Sequence, residues 1–424
     1  MTVSRKPRSF PDGQKLRLWG VGWALALTFA AAVLAAGGTL YGLVVLLDFQ
    51  KIDTTAKLDA KTLFDLVKLS FGVVAGAGAL VALVVAYRRQ RVDEAGAHRE
   101  ATRLHTERFS QAVDKLGSDS PAVRLGGVHA LAGLADDAPD DSLRQTCIDV
   151  LCAYLQLPFT PDPGTDPAHQ EEHHRYLAFR KVRHTILRLI GDHYRRPKGT
   201  HRSWQGCDLD LTGVTIDGDI DFDGAEFSGG TVSFSGATFS GGAVSFDDTT
   251  FSGGDVYFGD ATFSDGNVSF DLATFSGGAV YFDRATFSGS TVPFSGATFS
   301  DGAVYFSGAT FSDGAAYFNG ATFSDGVVYF SGAMFSGGDV YFDHATFSGG
   351  DVYFDHATFS GGAAYFDHAT FSDSTVSFRE ATFSGSAMSF GGATGAVPQG
   401  LLAAVGTPPP AGVTLPAAWL LSAP

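Results

Sequence analysis

The side chains able to do chemistry are few and poorly arranged for it. His169 and His173 are one helical turn apart, with His174 beside them. A His-Glu-x-x-His zinc hydrolase needs Glu directly after the first His, so that two imidazoles hold the ion while the carboxylate acts as base. Gln170 stands there instead, and a solvated polar helix face is expected. Cys147, Cys152 and Cys207 have neither metal-ligand spacing nor a paired framework, which fits a reduced compartment. Cys147 and Cys152 fall on an amphipathic helical stretch and are expected in or beside a core. Asp343-His344, Asp355-His356 and Asp367-His368 recur every 12 residues. Duplication of a corner sequence accounts for them more simply than a bound cation. No Ser/His/Asp or Cys/His arrangement is present, and no GKS or GKT phosphate loop. No catalytic residue, metal or cofactor is expected, and the chain reads as a non-enzyme.

Tyrosine carries the remaining candidate. Tyr257, Tyr281, Tyr305, Tyr329 and Tyr353 recur every 24 residues, as do Tyr317, Tyr341 and Tyr365. An exposed aromatic column is a candidate interaction face for another protein. A cross-strand ladder that only stabilises itself accounts for the same repetition.

The element that must position these columns is a repeat. Phe occurs every 12 residues from Phe227 to Phe383, and again every 12 from Phe222 to Phe390. The two series interleave in steps of 5 and 7. In each half of the unit an apolar residue stands two positions before Phe, as Ala261 before Phe263 and Val256 before Phe258. Period-two spacing sends both to one side of an extended segment. Twelve residues cannot enclose two Phe, a Val and an Ala. Twenty-four can, as four short faces around a lumen. The expected core ladder includes Phe239, Phe263, Phe287, Phe311 and Phe347 in one series and Phe258, Phe282, Phe306, Phe330 and Phe354 in the other. Gly and Ser at the corners supply the backbone freedom for the bends.

Before the repeat, 18–47 and 69–87 are free of charged residues. They are expected to cross a membrane as a helical hairpin over 18–87, with spans at about 19–47 and 67–87. Arg5, Lys6, Arg8, Lys15 and Arg17 precede the first run, and Arg88, Arg89 and Arg91 follow the second. The positive-inside rule then puts both termini in the cytoplasm and the chain in the plasma membrane. The pairs Gly38/Gly42 and Gly72/Gly76 would allow close helix packing, including a homo-oligomer. The organisation expected is a basic tail (1–17), the hairpin, a helical connector (88–200), a solenoid (207–393) and a Pro-rich tail (394–424) folded over the last coil.

Charge is divided unevenly. From Asp208 to Phe390 there are 24 acidic residues against Arg284 and Arg379. A surface of that sign repels nucleic acid, and no direct nucleic-acid binding is expected.

The lattice resembles the pentapeptide-repeat family, whose unit A-(D/N)-(L/F)-x-x turns its first and third positions inward. Ala225-Glu226-Phe227-Ser228-Gly229 and Ala261-Thr262-Phe263-Ser264-Asp265 match it in type. A two-residue insertion between alternate units departs from the pattern and replaces the square 20-residue coil with a rectangular one. With the two transmembrane helices and the short α-helical connector, the fold expected is a right-handed quadrilateral β-helix of about 24 residues per coil; its hand and four-sided form are what the resemblance implies. The full arrangement is similar to actinobacterial membrane-anchored pentapeptide-repeat proteins of unassigned function. Two roles follow as expectations. One is a non-catalytic, membrane-tethered scaffold that binds an unidentified protein. The alternative, implied by the family, is an acidic rod that mimics DNA and occupies a topoisomerase or another DNA-binding protein.

Overall fold

Short strands of two or three residues recur from Leu209 to Thr414, and all their pairings are parallel, between strands one circuit apart. A computed structural model describes residues 60–421 apart from 161, 265, 290, 385, 386 and 407, together with six single positions between 27 and 41. Pairing such as Phe263↔Phe287 and Val280↔Val304 sets the circuit at 24 residues. Three faces are sheets of eight strands, which makes eight coils. The fourth face is divided into three strands and six, between Val268–Ser269 and Val292–Pro293. Pro293 has no N–H to give to the ladder. Its carbonyl still accepts from Phe270 N at 2.8 Å. The first coil is one residue short on two faces, with Leu209↔Val232 and Ile216↔Phe239. The whole is a β-solenoid of the right-handed type.

Alternation explains the strands. Val256, Phe258, Ala261, Phe263, Val268, Phe270, Ala273 and Phe275 make one coil's interior, each at most 2% exposed. Phe239, Phe263, Phe287, Phe311 and Phe347 lie in columns beside two eight-stranded faces, and Phe258, Phe282, Phe306, Phe330 and Phe354 form a third column. None of these ten exceeds 3% exposure. Rings one coil apart stack at 4.8 Å and 3° in Phe258–Phe282, while rings of adjoining columns meet edge to face, as Phe258–Phe270 at 6.0 Å and 88°. Both geometries suit the ring quadrupole, so the columns interlock as well as stack.

Two corner types bend the chain. At the first, the Ala N–H returns to the Phe carbonyl three residues back, as Ala261 to Phe258 at 3.1 Å. The residue between is left-handed: Asp260 has φ 57° and His344 φ 57°. At the second corner a Cβ on Gly266 would lie 2.0 Å from the Gly242 carbonyl oxygen of the previous coil. Only glycine permits that approach.

The chain divides into two units, Met1–Ala101 and Thr102–Pro424. Helix α1 (Ala60–Leu116) is followed by α2 (Pro121–Asp136), α3 (Asp141–Gln156) and α4 (Gln170–Tyr194). The expected membrane hairpin is corrected here: among the described residues no helix is long and apolar enough to cross a membrane. The stretch 67–87 is not an element of its own but part of the 57-residue α1, which runs on through Arg88, Arg89 and Arg91. The charge-free run was weighed apart from the helix that contains it, which carries Lys61, Asp65 and Lys68 before the run and Arg88, Arg89 and Arg91 after it. The first expected span, 19–47, lies almost wholly outside the described residues, as does the basic tail 1–17.

Both ends of the solenoid are closed. In the second coil, Thr231, Ser233, Ser240, Ser245, Asp247 and Ser252 each accept a backbone N–H from the coil before. Their first-coil counterparts are Asp208, Asp210, Asp217, Asp221, Asp223 and Ser228, which have no preceding coil. Side chains of the helices and of the segment after them meet all six. Gln145 reaches Asp208 O at 2.8 Å, Gln156 reaches Asp210 O at 3.0 Å and Arg180 reaches Asp217 O at 3.0 Å. Arg195 donates to the carbonyls of Asp221 (2.8 Å) and Asp223 (2.7 Å), and Lys198 to that of Ser228 (3.3 Å). At the far end, Gln399 bridges Val376 and Phe378 through its backbone, and Val413–Thr414 pairs with Met388–Ser389. The short helices α5 (Leu401–Val405) and α6 (Ala417–Leu420) follow the last coil. Trp419 of α6, 3% exposed, covers Phe371 and Phe390 and donates to Gly395 O at 3.0 Å. Strand edges that would template further chains are thus occupied.

Candidate interaction faces of the solenoid

Tyr257, Tyr281, Tyr305, Tyr329 and Tyr353 share one outer face. Successive rings stack at 4.8, 4.9, 5.0 and 5.4 Å, within 2–17° of parallel. Tyr317, Tyr341 and Tyr365 repeat this on a second face at 4.8 and 5.0 Å. Stacking decides what the columns can offer. Inner rings of a column spend both faces on their neighbours, so a cation cannot sit over them. Edges and hydroxyls remain for a partner. Three hydroxyls donate to a carboxylate two residues back: Tyr257 to Asp255, Tyr341 to Asp339 at 3.1 Å and Tyr353 to Asp351 at 3.2 Å. Burial, and then the bond to Asp339, push the Tyr341 phenol up to about 12. Burial raises Tyr353 as well, so the Tyr341 and Tyr353 phenols suit hydrogen bonding, not proton transfer.

The acidity has a use the sequence reading missed. Many outward carboxylates accept the backbone N–H of the residue 24 positions on. Asp247 takes Asp271 N (3.0 Å), Asp271 takes Ser295 N (2.7 Å) and Asp343 takes Asp367 N (2.9 Å). On other columns Asp339 takes Ala363 N (2.8 Å) and Asp351 takes Thr375 N (3.2 Å). The available signal was Asn319, which stands in the first column and receives Asp343 N through its amide oxygen at 3.2 Å. A neutral acceptor in an acidic column marks the oxygen, not the charge, as the common requirement. Burial, aided by the neighbouring carboxylate of the same column, raises Asp271 and Asp343 above the usual carboxylate range, and burial raises Asp283. Part of the negative charge is therefore half-buried in the ladder, while corner residues such as Asp248, Asp260, Asp301, Asp313 and Asp325 stay exposed.

The other sequence candidates scatter. His344 and His368 are exposed and stack at 5.1 Å, while His356 lies 3.3 Å from Glu380. All three occupy the left-handed corner position. His173 pairs with Asp162 at 2.6 Å, and His169 immediately precedes α4. Cys147 and Cys152 are buried free thiols of α3, Cys207 is half-buried, and burial pushes the first two up to about 12 and Cys207 to about 11. Such thiols are not nucleophiles near neutrality.

A stack of near-identical coils whose inward positions are apolar, apart from Thr249, is a structural repeat fold. Residues 204–250, 229–274, 265–310, 301–346 and 342–394 match the family model described as pentapeptide repeats (9 copies). The solenoid belongs to the pentapeptide-repeat family. No curated protein matches the chain.

Proposed function

We propose that the solenoid is a non-catalytic protein-interaction module whose outer faces bind a partner by edge and hydroxyl contacts along the tyrosine columns. The carrying observation is the five-ring column Tyr257–Tyr353, held in one register by the Phe ladder beneath it. Such a face is preorganised, so a partner loses little to ordering it. The reading needs no membrane anchor. The test compares the full chain with a Tyr281→Ser, Tyr305→Ser, Tyr329→Ser variant in quantitative co-purification. Loss of one reproducible partner, with an unchanged far-ultraviolet spectrum, supports the module. Retention of every partner removes the tyrosine face from the proposal.

Mimicry of DNA draws on the same net charge. The carboxylates drawn into the ladder weigh against it, because a mimic presents its charges to the partner. Unchanged supercoiling by a bacterial gyrase at micromolar full chain would exclude it.

A further inference from the structure

The helical cap holds a site of opposite sign to the solenoid. A cleft of about 500 Å³ opens between α2, α3, α4 and the segment following α3. Its wall is aromatic, with Tyr154, Phe159 and Phe179 among its residues, and three guanidinium groups line it: Arg124, Arg175 and Arg183. Glu172 is the only carboxylate among the lining residues. In a chain of net charge −16, this is a local reversal.

The arginines are held in place. Arg124 lies 4.5 Å over the Phe179 ring and donates to Tyr154 Oη at 3.0 Å and to the Ser118 carbonyl. Arg183 lies 4.6 Å over Phe159 and donates to the carbonyls of Leu155 (2.8 Å) and Thr215 (2.7 Å). Arg183 is only 4% exposed, yet among the described residues no carboxylate oxygen lies within ion-pair distance of it. Carbonyl dipoles and a ring face compensate a buried cation incompletely. Burial lowers its pKa, and Asp217 offsets that only in part. Arg175 reaches outward from the rim, 3.6 Å from Glu171. Its guanidinium is free to swing onto a ligand.

We propose that this cleft binds a small aromatic anion, a flat ring carrying a phosphate or carboxylate, with the ring against the Phe159–Phe179 wall and the anionic group toward Arg124 and Arg175. The volume is that of an ordinary small-molecule site. Guanidinium groups supply paired N–H donors to either oxyanion, and ring stacking adds to the charge interaction.

Isothermal titration of the full chain tests it with four probes: adenosine monophosphate, benzoate, adenosine and inorganic phosphate. The expected result is saturable binding of adenosine monophosphate or benzoate tighter than about 1 mM, with adenosine and phosphate at least about tenfold weaker. The two ring-bearing anions decide between phosphate and carboxylate. Arg175→Ala, on an exposed side chain, should weaken the bound probe about tenfold without moving the melting temperature of the free chain. Phe159→Leu is the second variant and should weaken ring-bearing probes alone. Failure of both aromatic anions to bind overturns the proposal. So does equal binding of adenosine, equal binding of phosphate, or an unchanged affinity in Arg175→Ala.

Discussion

The helical cap and the coils stack on one another but are stabilised in different ways. Each coil repeats one contact set: rings on rings, a corner glycine on the corner below, a carboxylate on the N–H 24 residues on. The cap contains contacts made once. Asp136 joins His193 at 3.0 Å and the Trp204 indole at 3.0 Å, and Arg183 ties α3 to the first coil. Repetition spreads stability over nearest neighbours, so that a lost contact is felt locally and resembles its equivalents. Single-use polar contacts concentrate it, because removing one partner leaves the other buried and unbonded.

The largest effect should come from deleting a ring in the middle of the stack. Phe306→Ala, at a fully buried position, is expected to lower the free energy of unfolding by about 3–5 kcal/mol in urea titrations. Phe383→Ala, half-buried near the last coil, should lower it by clearly less. Equal losses would mean that the columns do not act through complete burial.

Next in size is the cap. Arg183→Met removes the donor to Leu155 O and Thr215 O, each orphaned carbonyl costing about 1–3 kcal/mol, while relief from burying the cation offsets part of that. Hydrogen exchange should quicken over α3 and 209–217 and stay unchanged beyond the third coil. Uniform loss of protection along the solenoid would show that cap and coils unfold as one unit.

Gly266→Ala comes third. The new methyl would meet the Gly242 carbonyl oxygen at 2.0 Å, so two coils must part locally, at about 1–3 kcal/mol. Gly320→Asn is the comparison: it keeps a left-handed corner at φ 64° and meets nothing within 4 Å. It should be close to neutral, since Asn tolerates that conformation.

The difference between the regions is also why one was legible and the other was not. Phe at fixed steps of 5 and 7 states the coil length, the inward positions and the face of every tyrosine, because each position is written many times. Nothing comparable marks Arg180, Arg183, Arg195 or Gln145 as donors to an open edge, for each is used once and its acceptor lies 26–63 residues away. The carboxylate ladder was hidden for a third reason: charge draws attention to solvent, while the bond uses a single oxygen. The membrane expectation failed where a charge-free run was read apart from the 57-residue helix that contains it.

Acid should separate the two regions by sign. In the cap at Asp136, and where the cap meets the first coil at Asp217, burial raises both carboxyls, but hydrogen bonds from His193 to Asp136 and from His184 and Tyr176 to Asp217 reverse this, leaving both below the ordinary 3.8. Their contribution is present above that value and is lost as pH falls through the depressed folded values. Further along the coils the half-buried Asp271, Asp283 and Asp343 lie above 3.8, so at these sites the folded state takes up protons first and gains stability as pH falls through that window; the exposed Asp260, lowered by its bond from Arg284, is screened by solvent. Circular dichroism between about pH 6 and pH 2 should show helix signal failing while near-ultraviolet tyrosine signal from the columns persists. Simultaneous loss of both signals would refute the opposed signs.

The smallest effect isolates charge from repetition. Arg284 binds Asp260 of the previous coil through two contacts of 2.7 Å, but both side chains are more than half exposed. Water and salt screen such a pair, and its direct contribution to stability should fall within experimental scatter. The surroundings make the two partners unequal. Arg284 is one of two cations among 24 acidic residues between Asp208 and Phe390. Removing it adds to the repulsion, whereas removing Asp260 relieves it. Arg284→Ala should therefore melt slightly earlier than the parent at low salt, and Asp260→Asn, which keeps a residue suited to the left-handed corner, no earlier. Both differences should vanish at about 1 M salt, where the screening length is about 3 Å. Equal losses from the two variants, persisting at high salt, would mean that the pair itself stabilises the corner and that the coils, like the cap, depend on single-use contacts.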